Sequence, residues 1–193
     1  MATSFLGQGN LPLGLRNNNP GDFRTGIAWQ GITGQQNGFL TFSDVTYGLR
    51  ALALDLINNI SKEGYDSIRK FITKFAPPSE NDTAGYISFV GQETGIDPDT
   101  QLGIDSDTIH SLMRAIMDKE IGRDYSALVG DDLIDQGISM ASGGGLATIP
   151  DAVAIAVQNP AIYLESASSS QWAGALGIAA GAGLLIYLLT KTK

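Results

Sequence analysis

Apolar residues recur at helical spacing in four stretches of the chain. Val45, Leu49, Leu52, Leu56 and Ile60 fall on one face, with Ser43 or Asp44 before them as an N-cap, and predict a helix to about Asn59. Ile68, Phe71, Ile72 and Phe75 predict a second over about 67–75, closed by Ala76-Pro77-Pro78. Asn81 or Asp82 caps a third, Thr83 to Thr94, which Gly95 ends. Ile109, Leu112, Met113, Ile116 and Met117 mark a fourth, from Ile104 to Glu120, stopped by Gly122. Ahead of these, residues 15–42 are rich in Asn, Gly and aromatics and predict irregular loops, with a short hairpin around Thr33–Asn37.

The pattern changes after about residue 126. Met140-Ala-Ser-Gly-Gly-Gly predicts a flexible joint, and Pro150-Asp151 opens a short apolar helix over 150–164. Ser166–Ser170 forms a second spacer. Ala173 to Leu189 is then a run of 17 residues without a charge, flanked by Trp172 near one end and Tyr187, Lys191 and Lys193 near the other. About 17–20 apolar residues span bilayer hydrocarbon, and interfacial aromatics and lysines suit its edges. Gly177 and Gly181 form a small-residue pair through which two such helices can self-associate. The expected organisation is therefore an N-terminal arm (1–13), a mainly α-helical domain (14–135), a linker with a short helix (136–171) and a transmembrane anchor (172–190).

Charge adds orientation and exclusions. The net charge is −8, so no basic surface favours nucleic acid, and none is expected as a partner. With no Cys and one His, neither thiolate nor multi-histidine metal sites can form, and no metal or cofactor is expected. The N-terminus lacks the basic and apolar regions of a secretory signal. Between Tyr125 and Thr190 there are five acids and no Lys or Arg, and two lysines follow the apolar segment. The positive-inside rule then places the C-terminus on the cytoplasmic side and the domain opposite.

Three clusters carry candidate chemistry. In Arg16-Asn17-Asn18-Asn19-Pro20-Gly21-Asp22-Phe23-Arg24, with Trp29-Gln30-Gly31, two readings stand. The asparagines brace a tight loop, or their amides meet sugar hydroxyls while Trp29 meets a sugar face. In Pro77-Pro78-Ser79-Glu80-Asn81-Asp82-Thr83, the acids cap a helix or serve a site. Glu120 closes an apolar-faced helix where the helix dipole disfavours an acid. It is either a surface residue or a carboxyl whose pKa is raised by the apolar wall of Ile116 and Met117, as a general acid requires.

These clusters, in this order, resemble a family of bacteriophage virion proteins related to lysozyme-like domains. The resemblance rests on Arg16–Gly21, Trp29–Gly31, Gly38–Phe42 with Gly48–Ala51, Pro77–Ile87 and Ala115–Gly122, and covers about residues 14–123. Asp22-Phe23 departs from it, since Asn-Ile or a similar pair is expected there. A looser similarity, in circularly permuted order, links the chain to glucosaminidase and lytic transglycosylase domains, which place a catalytic Glu at a helix end. The resemblance implies a lysozyme-like fold and a virion-associated protein that cleaves peptidoglycan. Glu120 would be the acid, with Glu80 as the second choice. Asn17, Asn18, Asn19, Asp22, Trp29 and Tyr86 would line the saccharide groove, and Asp22 or Asp82 could supply a second carboxylate. Its expected partners are peptidoglycan, a lipid bilayer and other virion proteins, in a virion membrane or the host envelope. The alternative is a non-catalytic virion membrane protein that tethers capsid or spike to membrane.

Overall fold

A computed structural model of the chain describes residues 4–24 and 27–142. In chain order these form α1 (Leu13–Arg16), β1 (Ile32–Gln36), β2 (Phe39–Phe42), α2 (Val45–Ser61), α3 (Ile68–Phe75), α4 (Thr83–Thr94), α5 (Ser106–Glu120), α6 (Arg123–Ser126) and α7 (Asp131–Ala141). The described part is thus mainly α, as the periodicity predicts.

Capping explains the helix starts. Asp44, Ser67, Asp82 and Asp105 each accept a backbone N–H from the first turn of α2, α3, α4 and α5. Gly95 ends α4 in the left-handed conformation. The hairpin is one residue pair off its expected centre. Asn37 and Gly38 both have positive φ and form its two-residue turn, so Thr33–Gln36 lies in β1. β1 and β2 pair antiparallel from Gln36↔Phe39 to Ile32↔Phe42, with an irregularity between Ile32 and Gly34.

Helix α2 is the axis of the fold. It packs against α7, α5, α3 and β2. Its Leu49, Leu52 and Leu56 are fully buried in a cluster with Ile68, Phe71, Ile109, Leu112, Met113 and Ile134. On its other side, Ala51 meets Trp29, Ile32, Leu40 and Phe42 in a smaller cluster that seats the hairpin.

Two expected boundaries fall elsewhere. Residue 135 lies inside α7, which runs on to Ala141, so residues 136–141 are helix rather than linker. Ile134, Gly137 and Ile138 of α7 are buried. Gly137 hides this helix in the sequence, because a mid-helix glycine costs about 1 kcal/mol relative to alanine. Its reason is contact, since a Cβ there would lie 2.6 Å from Leu49 Cβ and 3.0 Å from the Leu49 carbonyl carbon. His110 and Arg114 of α5 also hold the segment: His110 Nδ1 lies 2.7 Å from Asp135, and Arg114 donates to the carbonyls of Ser126 and Val129. At the other end, residues 4–12 are not a free arm. Phe5 packs on the core, Leu11 is buried, and the Phe5 N–H donates to Asn18 Oδ1 at 2.8 Å.

Among the described residues no helix is long and apolar enough to cross a membrane. The rest of the expected linker from residue 143, the anchor at 172–190 and the Gly177/Gly181 pair lie outside the described residues.

Gly137→Ala is expected to lower stability by about 1–3 kcal/mol, because overpacking against Leu49 exceeds the gain in helix propensity. A fall in the urea midpoint with unchanged m-value would show it.

Candidate active site

The asparagine loop is built before the site can be. Helix α1 lasts one turn, and the chain then folds back through Asn17-Asn18-Asn19-Pro20, with Asn18 at φ +53°. Asn and Gly tolerate that region best. The loop lies on α2 because Gly48 has no side chain, since a Cβ there would stand 2.1 Å from the Asn18 carbonyl oxygen. The amide of Asn18 donates to the Phe42 carbonyl at 3.1 Å and to Ser4 Oγ at 3.0 Å. The amide of Asn19 donates to the carbonyls of Leu40 at 3.0 Å and Phe23 at 2.9 Å, and its Oδ1 accepts from the Phe23 N–H at 2.9 Å. Asn17, Asn18 and Asn19 are 1%, 0% and 0% exposed. Asn18 and Asn19 brace the loop, Asn17 is buried with its amide nitrogen unpartnered, and none of the three lines the cleft, so their expected role as sugar contacts gives way to the structural one.

Beyond this loop the surface opens into a cleft of about 440 Å³. One wall is the segment Gly21–Arg24 with Ile27 and Phe39. The floor brings Asp55 and Asn59 of α2, and the far wall brings Lys74 and Phe75 of α3 with Pro77, Glu80 and Asn81. Glu120, the last residue of α5, closes it. Residues almost 100 positions apart in the chain, Asp22 and Glu120, therefore face one space.

Glu120 is half-buried, with Ile116 and Met117 fully buried one turn before it. The Tyr86 hydroxyl of α4 donates to Glu120 Oε1 at 2.7 Å. Burial raises the carboxyl above its ordinary range, and the Tyr86 donation, Lys119 and Arg24 pull it back. Burial, the Glu120 charge and the same hydrogen bond push the Tyr86 hydroxyl up, keeping it a donor. Tyr86 is only 4% exposed and meets Glu120 without lining the cleft. Trp29, 6% exposed, is likewise withdrawn from the cleft. It tilts against Phe23 at 5.6 Å, Phe23 meets Phe75 edge-on at 6.4 Å, and Phe75 meets Tyr86 in the same way at 6.4 Å. This line of rings supports the cleft from behind, and its half-buried members Phe23 and Phe75 line the cleft.

Asp22 is the unusual residue of the wall. Its φ is +49°, uncommon for a side-chain-bearing residue, and its Oδ1 is buried without a hydrogen-bond partner. Both are costs of the kind that collect at functional positions. A Cβ on Gly14 would lie 2.6 Å from this Oδ1 and 2.7 Å from Ile121, so the glycine makes room for the carboxyl beside the end of α5. Burial first, then the Glu120 charge, raise the Asp22 pKa to about 7, against a smaller opposing effect of Arg24.

The remaining acids divide. Glu80 is exposed at the rim of the cleft. Asp82 caps α4 through the Gly85 N–H at 3.0 Å and is a structural acid. Asp55 is a cleft residue absent from the expected set; burial raises its pKa to about 6, opposed by Lys74 and Asn59. Its signal was an acid inside the apolar run Leu52-Ala53-Leu54-Asp55-Leu56. Lys74 reaches Asn59 Oδ1 and, at 2.7 Å, Glu63. Among the described residues no group of three or more His, Cys, Asp or Glu could hold a metal ion.

No protein-family model matches the chain. Protein P5 of Pseudoalteromonas phage PM2 is 36% identical over 115 residues, which cover 56% of this chain and 71% of that protein. The chain belongs to the family of this phage protein. P5 family membership agrees with the phage resemblance in the motifs and does not by itself assign chemistry to the cleft.

Asn19→Ala removes three hydrogen bonds and leaves buried backbone groups unpaired, with an expected loss of about 2–4 kcal/mol by thermal or urea denaturation. The pH dependence follows from Asp22 and Asp55, whose folded pKa values of about 7 and about 6 exceed the ordinary 3.8. Between those limits the folded state binds more protons, so their contribution is full below about pH 4 and lost as pH rises through 6–7. The Asp22→Asn, Asp55→Asn double variant should show a flatter melting temperature than the parent between pH 4 and 7.

Proposed function

We propose that this chain is a virion-associated, membrane-anchored protein that cleaves peptidoglycan with a lysozyme-like domain, opening the cell wall during infection. The observation that carries this reading is the cleft in which Asp22 and Glu120 converge, with Tyr86 bonded to Glu120 and Phe23 and Phe75 on the walls. Glycoside cleavage uses a protonated carboxyl at the leaving oxygen and a negative group near the cationic sugar. Phe23 and Phe75 offer apolar faces to sugar rings, and Lys74 and Arg24 offer charge to the acidic stem peptides of the wall polymer. The segment 172–190 would hold the domain at a bilayer, with residues 143–171 as the tether, and other virion proteins as neighbours.

A second reading is a non-catalytic virion membrane protein that tethers capsid or spike to membrane. It is favoured by the burial of Asn17, Asn18, Asn19 and Trp29, which spends those residues on structure.

A peptidoglycan clearing assay with the detergent-solubilised full chain separates the two. Glu120→Gln should reduce clearing by about 100-fold or more while the melting temperature holds. Glu80→Gln, at the exposed rim, should retain most of it. No clearing by the folded parent protein would leave the tethering role.

A further inference from the structure

Of the four carboxyl groups that line the cleft, Asp22 and Glu120 have unlike surroundings, and the difference assigns their roles. Glu120 receives a hydrogen bond from the Tyr86 hydroxyl at 2.7 Å. Burial raises both carboxyls and Arg24 lowers both, while Lys119, whose ammonium lies 5.6 Å from the centre of the Tyr86 ring, adds positive charge to the surroundings of Glu120. A donated hydrogen bond and nearby cations favour an ionised carboxylate. Asp22 differs in what it lacks. Its Oδ1 is buried, no donor reaches it, and the Glu120 charge acts on it more strongly than Arg24 does. A buried oxygen without a donor, facing a carboxylate, favours the protonated acid.

We propose that Asp22 and Glu120 act as a pair in which Asp22 holds the proton and Glu120 is the ionised partner, the reverse of the assignment that the helix-end position of Glu120 suggests. This rests on the glycoside-cleaving reading for its chemistry, though not for the placement of the proton. Asp22 gives its proton to the glycosidic oxygen as the bond from that oxygen to the sugar carbon breaks, and the bonding electron pair leaves with the oxygen. The Glu120 carboxylate stabilises the positive charge left on the sugar. Water then adds to that carbon and its proton returns to Asp22, so the net change is hydrolysis and both groups regain their starting states. Tyr86 is a positioning residue that keeps Glu120 ionised. Asp55, Lys74 and Glu80 line the same cleft, and these with Arg24 and Lys119 are the other charged groups around the pair.

The pair predicts coupled titration, in which removing either charge moves the partner. The test is a carbon-13 carboxyl NMR titration of the full chain in detergent micelles, with Asp22 and Glu120 assigned from Asp22→Asn and Glu120→Gln. Asp22 should titrate near pH 7, and Glu120, which has a donor where Asp22 Oδ1 has none, should titrate below it. In Glu120→Gln the Asp22 midpoint should fall, because the neighbouring negative charge is gone. In Tyr86→Phe the Glu120 midpoint should rise, because its donor is gone. Glu120 titrating above Asp22 in the parent chain, or an Asp22 midpoint unmoved by Glu120→Gln, overturns the proposal. Clearing assays on the same samples keep the two readings apart. Clearing that falls above pH 7 in the parent, with about 100-fold loss in Asp22→Asn, supports both. The expected titrations with no clearing at any pH uphold the pair and sink the enzymatic reading. Clearing undiminished in Asp22→Asn overturns Asp22 as the acid.

Discussion

The burial of two asparagine amides against the carbonyls of β2 is the constraint on which the rest of this molecule depends. A loop that turns back on a helix leaves backbone groups without partners, and buried unpaired groups cost about 1–3 kcal/mol each. Asn18 and Asn19 remove that cost by reaching Phe42, Leu40 and Phe23. Those bonds fix the hairpin to the loop, and Gly48 lets the loop press on α2. Without this seat, the segment Gly21–Arg24 would have no defined height above the helices and the cleft would lose a wall.

The same seat explains why Asp22 can sit where it does. Left-handed backbone and a buried oxygen without a donor are both unfavourable, and an isolated loop would relax them. Here Gly14, Asn19 and the end of α5 surround the residue closely enough to prevent it. The core supplies the rigidity. Trp29, Phe23, Phe75 and Tyr86 pass contact from the hairpin cluster across to Glu120, so both carboxyl positions are referenced to one continuous set of rings.

Membership in the family of a phage protein and a cleft with unequal carboxyl groups are independent observations that meet in one biological setting. A phage must bring its genome past a cell wall and a membrane. The proposed wall-cleaving role would suit that task, and the net charge of −8 offers no basic surface for nucleic acid. Asp55 with Lys74 and Asn59 extends the polar lining of the cleft beyond Asp22 and Glu120.

Local information determined the helices and their ends. Apolar spacing and side-chain caps act within one or two turns, so α2 to α5 were legible to within a residue or two of their caps at Asp44, Ser67, Asp82 and Asp105, with α5 starting at Ser106 rather than Ile104. A hairpin was legible around Thr33–Asn37, and its turn falls at Asn37-Gly38. Glu120 stood out because an acid at a helix C-terminus opposes the local dipole. Tertiary structure decided what local signals could not contain. Helix α7 exists because Gly137 allows close contact with Leu49, a gain invisible to propensity. The asparagines and Trp29 were assigned to the interior, since a polar or aromatic side chain serves a loop or a sugar with the same atoms until its neighbours are known. Asp55 entered the cleft, and Asp22 came to face Glu120, through packing between segments distant in the chain. Charge coupling depends on spatial separation and burial, and neither is written in the order of residues.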